Sequence, residues 1–105
     1  MRFPEVKIGS IFVETWGYDQ TNADFYQVVS RTDSSVKVRH IKSEIKESSP
    51  LSMTGYAMPV KNAFDGEPKT KLLKFSNISK SIEFKSDNRY ARLWDGEEVN
   101  VSWYG

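Results

Sequence analysis

The 105 residues contain no cysteine and one histidine, His40. Without cysteine there is no disulfide scaffold, no thiolate metal site and no thiol nucleophile. A lone imidazole removes most metal-binding and acid–base templates. No charge dominates: Lys+Arg is 15 and Asp+Glu is 14, a net of +1, so no global field draws the chain to DNA or a membrane. No apolar run exceeds three residues (Ile11-Phe12-Val13 is one), far short of a membrane span. Gly-x-Gly-x-x-Gly, Gly-Lys-Ser/Thr and Gly-x-Ser-x-Gly are all missing, which leaves no phosphate-loop, dinucleotide or serine-hydrolase signature. The opening Met1-Arg2-Phe3-Pro4-Glu5 leads into no apolar signal region, so the expected location is cytoplasmic. No cofactor, metal, membrane partner or enzymatic activity is expected.

What is present is an ordinary globular composition, 38% hydrophobic and 28% charged, in 12.1 kDa. That size predicts one domain, with roughly 6,000 Å² exposed when folded. The apolar pattern has period two. Val36 and Val38 alternate with Lys37 and Arg39, which predicts a strand to about Ile41. Phe25 to Val29 is aromatic and β-branched, and Thr32-Asp33-Ser34-Ser35 between them has turn chemistry, so the two make a hairpin. Ile11 to Trp16 reads as the preceding strand, entered through Gly9-Ser10. Lys42 to Gly55 is polar and reads as an exposed connection, and Tyr56 to Val60 as a short edge strand carrying Pro59. Thr70 to Phe75 reads as a strand with Leu72 and Leu73 buried, and Ile82 and Phe84 mark another. At the end, Asp95-Gly96-Glu97-Glu98 predicts a tight hairpin between Arg92-Leu93-Trp94 and Val99 to Tyr104. Six or seven short strands with almost no helix signal predict a mainly β fold. It is a small single-domain SH3-like barrel or a curled antiparallel sheet.

The densest polar cluster runs from Trp16 to Asp24, with Tyr18, Asp19, Gln20 and Asn22 between them. As a recognition loop its amides and carboxylates would read donors and acceptors while its rings stack. As a purely structural loop its Asx side chains would satisfy their own backbone. Asp19, Asp24 and Asp95 offer oxygen ligands for a hard cation, but no spacing brings them together. Alternation places His40 on the Val36/Val38 face, where it reads as a bonded or solvated strand-end residue without a nucleophile beside it. Lys69, Lys71, Lys74, Lys80 and Lys85 make residues 67–85 locally basic, with Phe75 and Phe84 interleaved. Such a surface can hold single-stranded nucleic acid, or it can be a lysine-coated solvated face over a phenylalanine core. Aromatic residues reach 13%, more than a thin core needs, and exposed Trp and Tyr are typical protein–protein anchors.

Trp16-Gly17-Tyr18-Asp19-Gln20-Thr21-Asn22 followed by Asp24-Phe25-Tyr26-Gln27-Val28 resembles the signature of an uncharacterised family of small proteins from bacteriophages, plasmids and prophages. Met58-Pro59-Val60, Phe64 and Gly66-Glu67-Pro68 are similar to its central pattern, and Tyr90-Ala91-Arg92-Leu93-Trp94-Asp95-Gly96 to its ending. The resemblance implies a mobile-element origin and a role for Trp94 and Asp95 beside the first loop. The chain departs from the family pattern over Lys69–Lys85. Together these readings predict a non-enzymatic accessory protein that binds and inhibits a host protein, such as a defence nuclease. Trp16, Tyr18, Asp19, Gln20 and Asn22 would form the contact loop, with Trp94 and Asp95 adjoining. A nucleic-acid module built on residues 69–85 and a nucleotide-sequestering oligomer are the alternatives.

Overall fold

Alternating β-branched and aromatic residues leave helix little chance here, and the computed structural model of the chain is built of strands. It describes residues 3–17, 21–47, 53–78, 80–86 and 89–102. Nine strands are present among them: β1 (Ile11–Trp16), β2 (Asn22–Arg31), β3 (Ser35–Glu47), β4 (Thr54–Phe64), β5 (Lys69–Leu72), β6 (Lys74–Ser76), β7 (Ser81–Ser86), β8 (Arg89–Leu93) and β9 (Val99–Ser102). All pair antiparallel in one curled sheet of order β6-β7-β8-β1-β2-β3-β4-β9, with β5 added beside β3.

The central strands bury both faces, each with its own core. Phe12, Val28, Val36, Val38, Ile82, Phe84 and Ala91 pack on one face with Val6 and Leu73. Ile11, Val13, Phe25, Ile41, Ala57, Val99 and Val101 pack on the other. Period two explains this: Phe12 and Val13 are neighbours in β1 and point to opposite faces. The β8-β7-β6 end, with β5, folds over the first core. The β4-β9 end folds over the second, where Thr21 and Ser102 exchange backbone hydrogen bonds of 3.2 and 3.0 Å. Curling each end over a different face hides apolar surface that a flat sheet would leave wet. The molecule is accordingly long, 47 × 30 × 22 Å.

The β2–β3 hairpin forms as its sequence predicts, closed by Thr32 N–H donating to the Ser35 carbonyl (2.9 Å) and by their paired hydroxyls (2.6 Å). Other segments differ. Lys42 to Glu47 is not a connection but the second half of β3, paired with β4 from Ser43 to Glu47. β4 is no edge strand, since it lies between β3 and β9. Pro59 is tolerated because pairing with β9 stops at Ala57, short of the proline. In β4, residues 60–63 oppose Lys42 alone, and the resulting bend is held by an amide pair. Gln27 Nε2–H donates to Asn62 Oδ1 and Asn62 N–H donates to Gln27 Oε1, both at 2.8 Å. Of the two leucines, Leu73 is buried but Leu72 is 68% exposed. Asp95-Gly96 is a turn, with Gly96 at φ +91°, yet it closes no hairpin. β8 pairs with β1 and β7, and β9 pairs with β4, so this turn carries the chain from one core to the other.

Candidate functional site

At one end of the first core the inward-facing positions turn polar. Phe12 is followed on its face by Glu14 and Trp16, Val28 is preceded by Tyr26 and Asp24, and Val38 is followed by His40. The sheet register lays these columns side by side, pairing Glu14 with Asp24 and Tyr26 with His40. β8 adds Arg89, paired with Ser86 of β7. The β4–β5 link adds Asp65. It is pressed onto β3 by Asp65 N–H donating to the His40 carbonyl (3.0 Å) and Arg39 Nε–H donating to the Gly66 carbonyl (2.7 Å). Gly66 allows a close approach there, since a Cβ at this position would lie 3.0 Å from His40 Cβ.

Two carboxylates directly opposite each other repel, and here each has its own cation. Arg89 Nε lies 3.3 Å from Glu14 Oε2, with Glu14 only 5% exposed. His40 Nε2 lies 3.1 Å from Asp24 Oδ1, and His40 Nδ1 bonds Asp65 Oδ1. The second Asp24 oxygen accepts the Trp16 indole N–H at 2.7 Å, and the Arg89 guanidinium lies over the Trp16 ring, 5.4 Å from its centre. One continuous chain therefore runs Glu14, Arg89, Trp16, Asp24, His40, Asp65. Carboxylate oxygens only accept, so the form of His40 that satisfies both partners is the imidazolium, with both ring nitrogens donating. Burial alone disfavours that charge. The hydrogen bonds to Asp65 and Asp24, with their negative charge, outweigh it and hold the His40 pKa above its ordinary 6.5. A ring with both N–H groups donated has no lone pair for base catalysis; what it does is tie β2, β3 and the β4–β5 link together.

The chain finds no match among protein-family models, curated proteins or solved structures.

The residues proposed from sequence do not fall in one place. Tyr18, Asp19 and Gln20 lie outside the described residues. Trp16 and Asn22 are strand residues rather than loop residues, and they face each other as a cross-strand pair. They line a groove of about 310 Å³ with Asp24 and an apolar floor that includes Ala57 and Val101. The Asn22 amide nitrogen is buried without a hydrogen-bond partner among the described residues. Trp94 and Asp95 do not adjoin this groove. Trp94 N–H donates to the Ile11 carbonyl at the opposite end of β1, about 17 Å along the strand from Trp16. The Trp94 ring packs edge-on against Phe25 at 6.3 Å, its indole N–H donates to the Glu97 carbonyl (2.7 Å), and Asp95 Oδ1 accepts from Glu97 N–H (2.9 Å). Both residues are occupied in holding the inter-core turn. The basic segment is also divided. Lys69 and Lys71 lie on the inner side of β5, while Lys74 and Lys85 lie on the outer face of β6–β8, and Lys80 sits in the turn before β7 with φ +57°. The sequence reading passed over Glu14, Asp65 and Arg89 as site residues. The available signal was Glu14 itself, a charge in the core-facing phase of Ile11-Phe12-Val13-Glu14-Thr15-Trp16. Among the described residues no group of three or more His, Asp or Glu is placed to hold a metal ion.

Proposed function

We propose that this protein is a non-enzymatic accessory protein of a mobile element that binds a host protein in the cytoplasm and blocks it, docking through the Trp16 end of the first core. The observation that carries this reading is the state of Trp16. Its ring is 39% exposed, yet it is fixed at its edge by Asp24 and on its face by Arg89. Tryptophan and arginine are the side chains that most often anchor interfaces. A ring already held in one rotamer loses little further entropy when a partner covers it. The adjoining groove, with an apolar floor that includes Ala57 and Val101, offers that partner further area to cover. Blocking by occupation needs only such a rigid surface, and no chemistry.

The test is affinity capture from a bacterial lysate with wild type and Trp16→Ala, followed by measured binding of the captured protein after purification. Wild type should retain a species whose binding weakens at least about 30-fold in the variant, an effect of about 2 kcal/mol or more. Identical retention by both proteins, or none by either, would reject the reading. A second reading, single-stranded nucleic-acid binding, draws support from the outer face of β6–β8. There Tyr90 is 45% exposed, with Lys74 Nζ 4.4 Å from its ring centre and Lys85 paired beside it. It requires an oligonucleotide complex that weakens steeply as salt is raised. No retardation at low salt would remove it.

A further inference from the structure

β5 is built inside out. A strand laid against a core turns apolar residues inward and polar ones to water. Here Lys69 pairs with Val38 and Lys71 with Val36, both of the first core, so the two lysines share the core-facing side. Leu72, of the opposite phase, faces water at 68% exposure. Such an inversion wastes apolar burial and brings one cation, half-buried Lys71, toward a low-dielectric interior, while Lys69 stays exposed.

Where apolar side chains from β5 would have filled the space there is instead a cavity of about 280 Å³. It is lined by Lys69, Lys71, His40, Ser86, Tyr26 and Glu67, among others. Lys71 is half-buried. Neither lysine makes a salt bridge among the described residues, and the nearby Asp24 and Asp65 are already engaged by His40. Half-buried Lys71, exposed Lys69 and Ser86 thus line one recess, with a histidine whose ring N–H groups are donated elsewhere. Glu67, on the exposed link at the rim, adds a single acceptor.

From this geometry we propose that the cavity between β5 and β7 is a binding site for a small phosphomonoester. Lys69, Lys71 and the Ser86 hydroxyl hold the phosphoryl group, and Glu67 accepts from a hydroxyl of the attached sugar. Several ammonium and hydroxyl donors in one recess match a tetrahedral oxyanion. The size suits a phosphate with one ring attached rather than a polymer. A strand of nucleic acid is a poor fit, because Lys74 and Lys85 lie on the outer face of the sheet and do not continue the track. The site is separate from the Trp16 docking surface and stands or falls without it.

Because His40 is the only histidine, its ring proton signal is an unambiguous reporter at the wall of the cavity. The experiment is a titration at constant pH followed by proton nuclear magnetic resonance. Its probes are ribose 5-phosphate, inorganic phosphate, free ribose, and a short oligonucleotide with and without a 5′-phosphate. Ribose 5-phosphate should shift the His40 signal saturably, with a Kd of about 1 mM or tighter, and free ribose should not. Lys69→Gln/Lys71→Gln should weaken binding at least about tenfold, a loss of one charge-assisted contact or more, while Lys74→Gln/Lys85→Gln leaves it unchanged. A response that never saturates, or equal weakening in both double variants, would overturn the proposal. So would tighter binding of the oligonucleotide than of ribose 5-phosphate irrespective of its 5′-phosphate, which would assign the lysines to a nucleic-acid backbone.

Discussion

His40 illustrates how one side chain becomes informative only through its partners. In the folded chain it is held between Asp24 and Asp65, and its pKa stands above 6.5. A group with a raised folded pKa contributes stability that is complete below its unfolded pKa and is lost as pH rises through the folded value. Thermal melts should therefore show wild type gaining stability as pH falls through the raised His40 pKa to below 6.5. His40→Gln should flatten that dependence and lower stability near pH 6 by about 1 kcal/mol, since the ring is a third exposed and solvent screens the pair. A variant that keeps the wild-type slope would contradict this assignment. Gly66 acts on the same contact from the other side. Gly66→Ala places a methyl 3.0 Å from His40 Cβ, so His40 or the β4–β5 link must give by a few tenths of an ångström. The expected outcome is a loss of about 1–3 kcal/mol in denaturant melts, together with a fall in the His40 pKa followed by its ring proton signal.

The strands differ in how much of their role is local. β1, β2 and β3 carry strong period-two patterns; β1 spans the residues its pattern predicts, while β2 and β3 contain theirs and run beyond them, to Asn22 and Glu47. β5 does not obey its pattern. Lys69-Thr70-Lys71-Leu72-Leu73 reads as a strand running on into buried leucines, but the chain bends after Leu72, and Leu73 alone enters the core, its N–H bonded to the Ser34 carbonyl at 2.9 Å. Two substitutions separate these neighbours. Leu73→Ala should cost about 2–5 kcal/mol, as a buried leucine does. Leu72→Thr should change stability by less than about 0.5 kcal/mol, as for an exposed position. Equal losses in urea unfolding would mean that β5 faces the other way. The inter-core turn shows the same dependence on surroundings. Asp95-Gly96 has the residues of a tight hairpin, and Gly96 takes the positive φ that such a turn needs. Yet the strands it joins pair elsewhere, because each finds its apolar partners on a different face of the sheet.

Two cores on opposite faces of β1–β3 could in principle behave as two folding units. They share their central strands, so neither half keeps a complete wall without the other, and unfolding should be a single cooperative event. Phe84→Ala in the first core and Phe25→Ala in the second, both at fully buried rings, should each cost about 3–5 kcal/mol. In each variant the amides of Phe12 and Ala57, one beside each core, should exchange hydrogen at the same reduced protection. Retained protection in the unmutated core would show that the halves fold separately. The mainly β class, the β2–β3 hairpin and the face of His40 were all legible in the amino-acid order, because they depend on alternation over a few residues and on turn chemistry. The separation of Trp16 from Trp94, the inward lysines of β5 and the chain from Glu14 to Asp65 were not. Those arrangements depend on register between strands distant in sequence, and alternation carries no information about which strand a given column will lie beside. Local pattern decided that this chain is sheet and, in β1–β3, which face each side chain takes. Only the curling of that sheet over two faces decided which polar side chains meet, because the two cores had to be covered from different ends.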